Sequence, residues 1–213
     1  MSNTALRLTY YNIDDGVCAF STTRHGGTSE GNHASLNINP YCGDKPEHVA
    51  ANRALLAEEL GVDADRIILP HQTHGTETRI IGKEFCTLPE QIRQMQLEGV
   101  DALLTDVKGV CIGVSTADCI PVLLYDEEHH AAAAVHAGWR GTLARIVGKA
   151  IADMSIAYKT PSAAHQECGE QERKWKNRWM EKNNVTSNGE NGEKGLLLQI
   201  RTTSPGEGIC QRT

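Results

Sequence analysis

Val110-Cys111-Ile112-Gly113-Val114-Ser115-Thr116-Ala117-Asp118-Cys119-Ile120-Pro121-Val122-Leu123-Leu124 is the stretch from which the architecture of this chain is best read. It holds two apolar runs, 110–114 and 121–124, divided by a polar break. Runs this short suit strands buried on both faces, although periodicity taken alone is also compatible with buried helix. Working outward, Ala102-Leu103-Leu104 precedes them and Ala132-Ala133-Ala134-Val135 follows, so the centre of the chain is strand-rich. Asp118 and Cys119 fall in the break, and His136 closes the last run.

The flanks carry helical signals. Leu143, Ile146, Val147, Ala150, Ile151 and Met154 recur at the three-and-four spacing of one apolar face. That helix starts directly after Gly138-Trp139-Arg140-Gly141, where free N–H groups, the helix dipole and Arg140 together favour an anion. Upstream, residues 17–23 read as a strand entering the Gly-rich loop Arg24-His25-Gly26-Gly27-Thr28-Ser29. Asp44-Lys45-Pro46-Glu47 opens a helix with Asp44 as its cap, Val49, Leu56 and Leu60 on its buried side, and Gly61 at its end. Residues 67–69 form a short strand that delivers His71-Gln72-Thr73-His74-Gly75, and a further helix covers 89–97. His129 and His130, after Glu127-Glu128, read as solvated loop residues.

Composition sets the class. A hydrophobic content of 39% over 213 residues suits one sizeable globular domain, and no apolar run approaches the length of a membrane span. The N-terminus lacks the profile of a secretory signal, so a cytoplasmic protein is expected. Seven cysteines without framework-like spacing point to reduced thiols. A net charge of −6 without a basic stripe argues against nucleic acid as a partner. Of the 21 Lys/Arg and 27 Asp/Glu, residues 158–213 hold nine and seven, leaving twelve and twenty to residues 1–157. The chain therefore divides into a domain at 1–157 and a divergent polar tail at 158–213. In that tail only Leu196-Leu197-Leu198-Gln199-Ile200 is strongly apolar, and weak order is expected.

His74, Cys119 and His136 lie too far apart in sequence for a zinc finger. Gathered by a fold, they would form a three-ligand site with a position left open, as in catalytic zinc. Each alone is weak: a buried cysteine after a strand is more often a core residue, and either histidine could be structural. Asp118 beside Cys119 raises the thiol pKa, whereas a bound cation would hold the sulfur deprotonated, so the pair suits metal ligation better than an unaided nucleophile. Arg24 and Arg140, set in Gly-rich loops, could be surface ion-pair residues or phosphate clamps.

In order along the chain stand Phe20-Ser21-Thr22-Thr23-Arg24-His25-Gly26-Gly27, Ala34-Ser35-Leu36-Asn37, Gln72-Thr73-His74-Gly75, Asp101-Ala102-Leu103-Leu104-Thr105-Asp106, Thr116-Ala117-Asp118-Cys119-Ile120-Pro121 and His136-Ala137-Gly138-Trp139-Arg140-Gly141. This ordered set resembles the laccase-domain proteins, formerly called multicopper polyphenol oxidases and now associated with purine nucleoside phosphorolysis. The bacterial peptidoglycan editing factor is in the same group. Over residues 8–157 the resemblance implies an α+β fold, layered α/β/β/α with mixed sheets. It also implies a zinc site of His74, Cys119 and His136, with copper as the other candidate metal. The implied activity is phosphorolysis of adenosine, inosine, guanosine and methylthioadenosine, with adenosine deamination as a companion. Arg24, Asn37, His71 and Arg140 match positions near the family's pocket, where they would bind nucleoside and phosphate. A monomer or weak homo-oligomer is expected.

The family's usual continuation after the long helix, a strand, an Ile-Gly-Pro turn and a closing segment, is not apparent here, so the C-terminal portion is expected to be incomplete. Three other readings stand beside the phosphorylase: a copper-dependent polyphenol oxidase, a cysteine hydrolase using Cys119, and a non-catalytic peptidoglycan-editing or binding factor. The oxidase would need further histidine-rich clusters, which nine scattered histidines do not supply.

Overall fold

The apolar runs of the centre are strands, and the computed structural model describes them within residues 6–159 and 196–202. In chain order the elements are β1 Leu8–Asp14, β2 Val17–Thr22, α1 Pro46–Leu60, β3 Ile67–Ile68, β4 Glu77–Ile80, α2 Glu90–Leu97, β5 Val100–Thr105, β6 Cys111–Thr116, β7 Ile120–Asp126, β8 Ala131–Ala137, α3 Trp139–Leu143, α4 Ile146–Tyr158 and β9 Leu196–Thr202. They form a five-stranded sheet in the order β1-β2-β9-β6-β3 and a four-stranded sheet in the order β4-β5-β8-β7. Each sheet is mixed: β3 runs parallel to β6 and β4 parallel to β5, while the other pairs are antiparallel.

Side chains alternate across a strand, and here both faces are apolar, so each sheet is covered twice. Val17 and Ala19 of β2, Ile112 and Val114 of β6, Leu103 of β5, and Ala132 and Ala134 of β8 meet in the core between the sheets. Their neighbours Cys18, Phe20 and Cys111 turn to the other face, where they pack with Leu56, Ala57 and Leu60 of α1. On the four-stranded sheet Ala102, Leu104, Ala133 and Val135 face outward onto Ile146, Val147, Ala150 and Met154 of α4. The result is the α/β/β/α layering expected for the family. Among the described residues no helix is long and apolar enough to cross a membrane, and the cysteines Cys18, Cys42, Cys86, Cys111 and Cys119 are not in disulfides.

Three local expectations are corrected. The helix read as starting after Gly138-Trp139-Arg140-Gly141 is two helices, α3 from Trp139 and α4 from Ile146, and Arg145 adopts φ 60° between them. Gly141 in α3 packs on the Gly75 carbonyl while α4 lies on β8, and the break lets the chain meet both surfaces. Leu143, assigned to the apolar face, is 76% exposed in consequence. Asp44 does not cap α1. Its Oδ2 accepts from Ser29 Oγ (2.6 Å) and Asn37 Nδ2 (3.0 Å), and Lys45 takes the N-cap position ahead of Pro46. Gly61 does terminate α1 in the left-handed region, at φ 63°. His129 and His130 are half-buried and partnered, to Asp126 Oδ2 (2.9 Å) and the Tyr125 hydroxyl (2.8 Å). Within the 158–213 stretch the apolar run forms β9. β9 lies between β2 and β6 and pairs antiparallel with both; its remaining residues, and the expectation of weak order, fall outside the described part beyond Lys159.

Candidate metal centre

One end of the four-stranded sheet gathers the three candidate ligands, and strand register does most of the gathering. β8 ends with His136-Ala137. The β5–β8 register, Ala102↔Val135, carries on to set Asp101 across from His136. The β7–β8 register, Ile120↔Ala137, carries on to set Cys119 across from Gly138. β4 runs parallel to β5, so the turn that enters it, bearing His74, arrives at the same end. The ligand atoms of His74, Cys119 and His136 all lie within 4.8 Å of one another. The two imidazoles meet edge to face, with centroids 4.8 Å apart. His136 is buried, Cys119 half-buried and His74 exposed, so the cluster opens to solvent on one side.

Asp101 organises this end although it is not itself in the cluster. It is fully buried, and its Oδ1 lies 2.7 Å from His136 Nδ1. The same carboxylate accepts the backbone N–H groups of Thr73 (3.2 Å), His74 (3.0 Å) and Gly75 (2.7 Å). Three successive N–H groups converging on one anion offset the left-handed backbone of His74, φ 63°, a conformation costing a non-glycine residue about 1–3 kcal/mol. Burial alone would raise the Asp101 pKa, but hydrogen bonds from His136, Gly75 and Thr73 outweigh it and hold the carboxyl below its ordinary value. Gln72 ties the same turn to the end of β6: its Nε2 donates to Ser115 O (2.8 Å) and its Oε1 accepts from Ser115 N (2.7 Å). Thr116 Oγ1 donates to the Cys119 carbonyl and so closes the β6–β7 turn.

The residues present fit a metal ion. Two imidazoles and one thiolate are a donor set suited to zinc or copper. Gly138 is moulded around them: a Cβ there would sit 2.8 Å from His74 Cδ2, 3.3 Å from Cys119 Sγ and 3.5 Å from His136 Cε1. The space beside the three donors therefore exists because residue 138 has no side chain. Among the described residues this is the one group of three or more His, Cys, Asp or Glu arranged to hold a metal. The Cys119 thiol is pushed up by burial first, then by Asp118 and Asp101. Without a cation it stays protonated at neutral pH and is a poor nucleophile, which counts against the cysteine hydrolase reading.

The other candidate residues make contacts of their own and are not among the three ligands. Arg24 commits Nε (2.9 Å) and Nη2 (2.7 Å) to the Ala34 carbonyl. Asn37 donates to Asp44 and its Oδ1 accepts the N–H of Asn39. His71 is held by Glu98, with Nδ1 at 2.8 and 2.9 Å from the two carboxylate oxygens, and its ring stacks on Tyr41 at 4.7 Å. Arg140 is exposed on α3, its guanidinium 5.2 Å above the Trp139 ring. Asn39 links the two sides, donating to Ser115 Oγ at 2.9 Å, so the 24–44 loop abuts the β6 end that Gln72 also grips.

The family model described as "Multi-copper polyphenol oxidoreductase laccase" matches residues 18–169. The chain belongs to this family. Within the laccase family, it is 48% identical over 144 residues to a purine nucleoside phosphorylase of Bacteroides thetaiotaomicron, covering 68% of this chain and 53% of that protein. It is 41% identical over 140 residues to the adenosine deaminase RL5 of an unknown prokaryotic organism, covering 66% and 53%. The chain thus spans about half the length of the curated relatives it matches. Its fold is that of YlmD from Geobacillus stearothermophilus, with a TM-score of 0.66 at 20% identity over 89% of this chain and 93% of that one. The protein NMB0706 of Neisseria meningitidis superposes with a TM-score of 0.64 at 20% identity, covering 94% and 100%.

Proposed function

We propose that this chain processes purine nucleosides at the His74–Cys119–His136 end of the four-stranded sheet, by phosphorolysis of adenosine, inosine, guanosine and methylthioadenosine, with deamination of adenosine as a second activity. The observation that carries the reading is the convergence of three metal donors around a glycine in a family whose relatives here are named as a phosphorylase and a deaminase. Zinc held by these residues would supply a Lewis acid and lower the pKa of a coordinated water. The remaining work belongs to the chain. Arg140, exposed beside the cluster, offers phosphate a guanidinium whose hydrogen bonds are not consumed by a carboxylate in the described structure. Arg24 and Asn37 hold the shape of the 24–44 loop, so their part in substrate binding is to present that loop's backbone. His71, oriented by Glu98 and stacked on Tyr41, offers its other ring nitrogen to the nucleoside.

Breaking the C–N glycosidic bond builds positive charge on the ribose and negative charge on the purine. Bound phosphate stabilises the first, and a proton delivered to the leaving base stabilises the second. Phosphate-dependent release of base from adenosine and inosine by zinc-loaded protein, with Cys119→Ala beside it, tests the reading. Release lost in the variant supports it. A folded, zinc-binding protein that releases no base in phosphate would move the reading to a binding role.

A further inference from the structure

We propose that Asp101 is the positioning residue of this centre: one buried carboxylate sets the tautomer of His136 and the backbone of the His74 turn together. The inference rests on the metal reading above, but its core concerns this chain's own side chains. Asp101 accepts N–H groups from Thr73, His74 and Gly75, so both of its oxygens already act as acceptors. Its contact with His136 at 2.7 Å is then formed with Nδ1–H as donor. In the neutral ring that leaves the lone pair on Nε2, the nitrogen free to face the cluster. His136 and Asp101 are both almost wholly buried, at 3% and 0% exposure, so water offers Nδ1 no substitute acceptor. Two of the three candidate ligands therefore depend on a residue that touches neither the metal nor the substrate.

The arrangement makes an amide at 101 a specific test. Asparagine has one acceptor oxygen for two sets of donors. Turned to the Thr73 and Gly75 N–H groups, it presents NH2 to His136 Nδ1 and drives the ring proton to Nε2, the position a metal needs vacant. Wild type, Asp101→Asn and Asp101→Glu are prepared metal-free with 15N-labelled histidine, and the His136 tautomer is read by NMR. Each is then titrated with Co2+ while the thiolate-to-cobalt band is followed.

Wild-type His136 is expected as the Nδ1–H tautomer before any metal is added. Asp101→Asn is expected to shift it to Nε2–H and to weaken Co2+ binding by about 10- to 100-fold, the usual effect of losing a ligand's hydrogen-bond partner. Asp101→Glu, with its charge kept but its reach too long by a methylene, is expected to fall between them. An Nε2–H tautomer in wild type overturns the proposal even if neither variant folds. So does an Asp101→Asn protein with the wild-type tautomer and a Co2+ affinity within about twofold of wild type. A wild-type protein with no cobalt band that Cys119→Ala removes would overturn the metal reading instead, and the tautomer would still decide the role of Asp101.

Discussion

The ligand-bearing end of the four-stranded sheet and the 24–44 loop both hold polar side chains at fixed places, but by different means. At the sheet end strand register does most of it, setting Asp101 against His136 and Cys119 against Gly138. In the loop the side chains do it. Asn52, fully buried in α1, accepts from Thr28 N (2.8 Å) and donates to Ser29 Oγ (2.8 Å) and Asn37 O (2.8 Å). Asp44 and Arg24 add their own ties. Gly27 lies so close to the Ser35 carbonyl that a Cβ would approach it to 2.2 Å. A site built on register loses function when a ligand changes but keeps its frame. A loop built on side chains loses its frame when one tie is cut.

The largest expected effect lies on the first side of that contrast. Cys119→Ala should reduce metal-dependent turnover by at least about a hundredfold while the urea midpoint moves little, because the strands that place residue 119 are untouched. A large fall in that midpoint would show that the cluster holds the sheet end rather than the reverse. Gly138→Ala comes next. Its methyl would press on His74 and Cys119, and metal affinity should fall by about tenfold or more, with an overpacking cost of about 1–3 kcal/mol. Calorimetric zinc titration beside thermal unfolding separates the two.

Asn52→Ala tests the other region. Leaving the Thr28 N–H and the Asn37 carbonyl without their partner should cost about 1–3 kcal/mol in denaturant unfolding, with zinc affinity unchanged. If zinc affinity fell as well, the two regions would be one unit. The smallest effect concerns acid. Burial would raise the Asp44 pKa, but hydrogen bonds from Asn37, Ser29 and the Lys45 N–H bring it from 3.8 to about 2. Its folded pKa is depressed, so the stability it lends is fully present above about pH 4 and is lost as pH falls towards 2. Asp44→Asn should flatten that part of the stability–pH curve and leave the neutral range nearly unchanged.

Much of this was legible in the sequence, for reasons that can be located. The central strands are short apolar runs because both of their faces are covered, and that pattern survives in one dimension. The His74, Cys119 and His136 motifs were visible because each stands at a strand end or turn, His74 directly before Gly75 and His136 two residues before Gly138. Asp101 was not visible as a functional residue. An Asp ahead of Ala102-Leu103-Leu104 reads as the start of a strand, and only the pairing of β5 with β8 brings it to His136. Asn52 was hidden for the same reason, since a polar residue within a helix gives no sign of which face it occupies. The break at Arg145 escaped because the apolar spacing continues through it, and the separate docking of α3 and α4 is a tertiary fact.

β9 carries a consequence for how this protein is made. β2 and β6 have no ladder with each other; each pairs with a strand that lies far along the chain, close to 200. A ribosome emitting this polypeptide would release both of those edges well before the strand that fills the gap between them. Until it arrives, the nascent protein offers neighbouring copies a slot one strand wide, lined by main-chain donors and acceptors. A rescue strand supplied in trans, or a chaperone that binds extended segments, would compete for that slot, and yield in the cell would then be set by the timing of synthesis as much as by final stability.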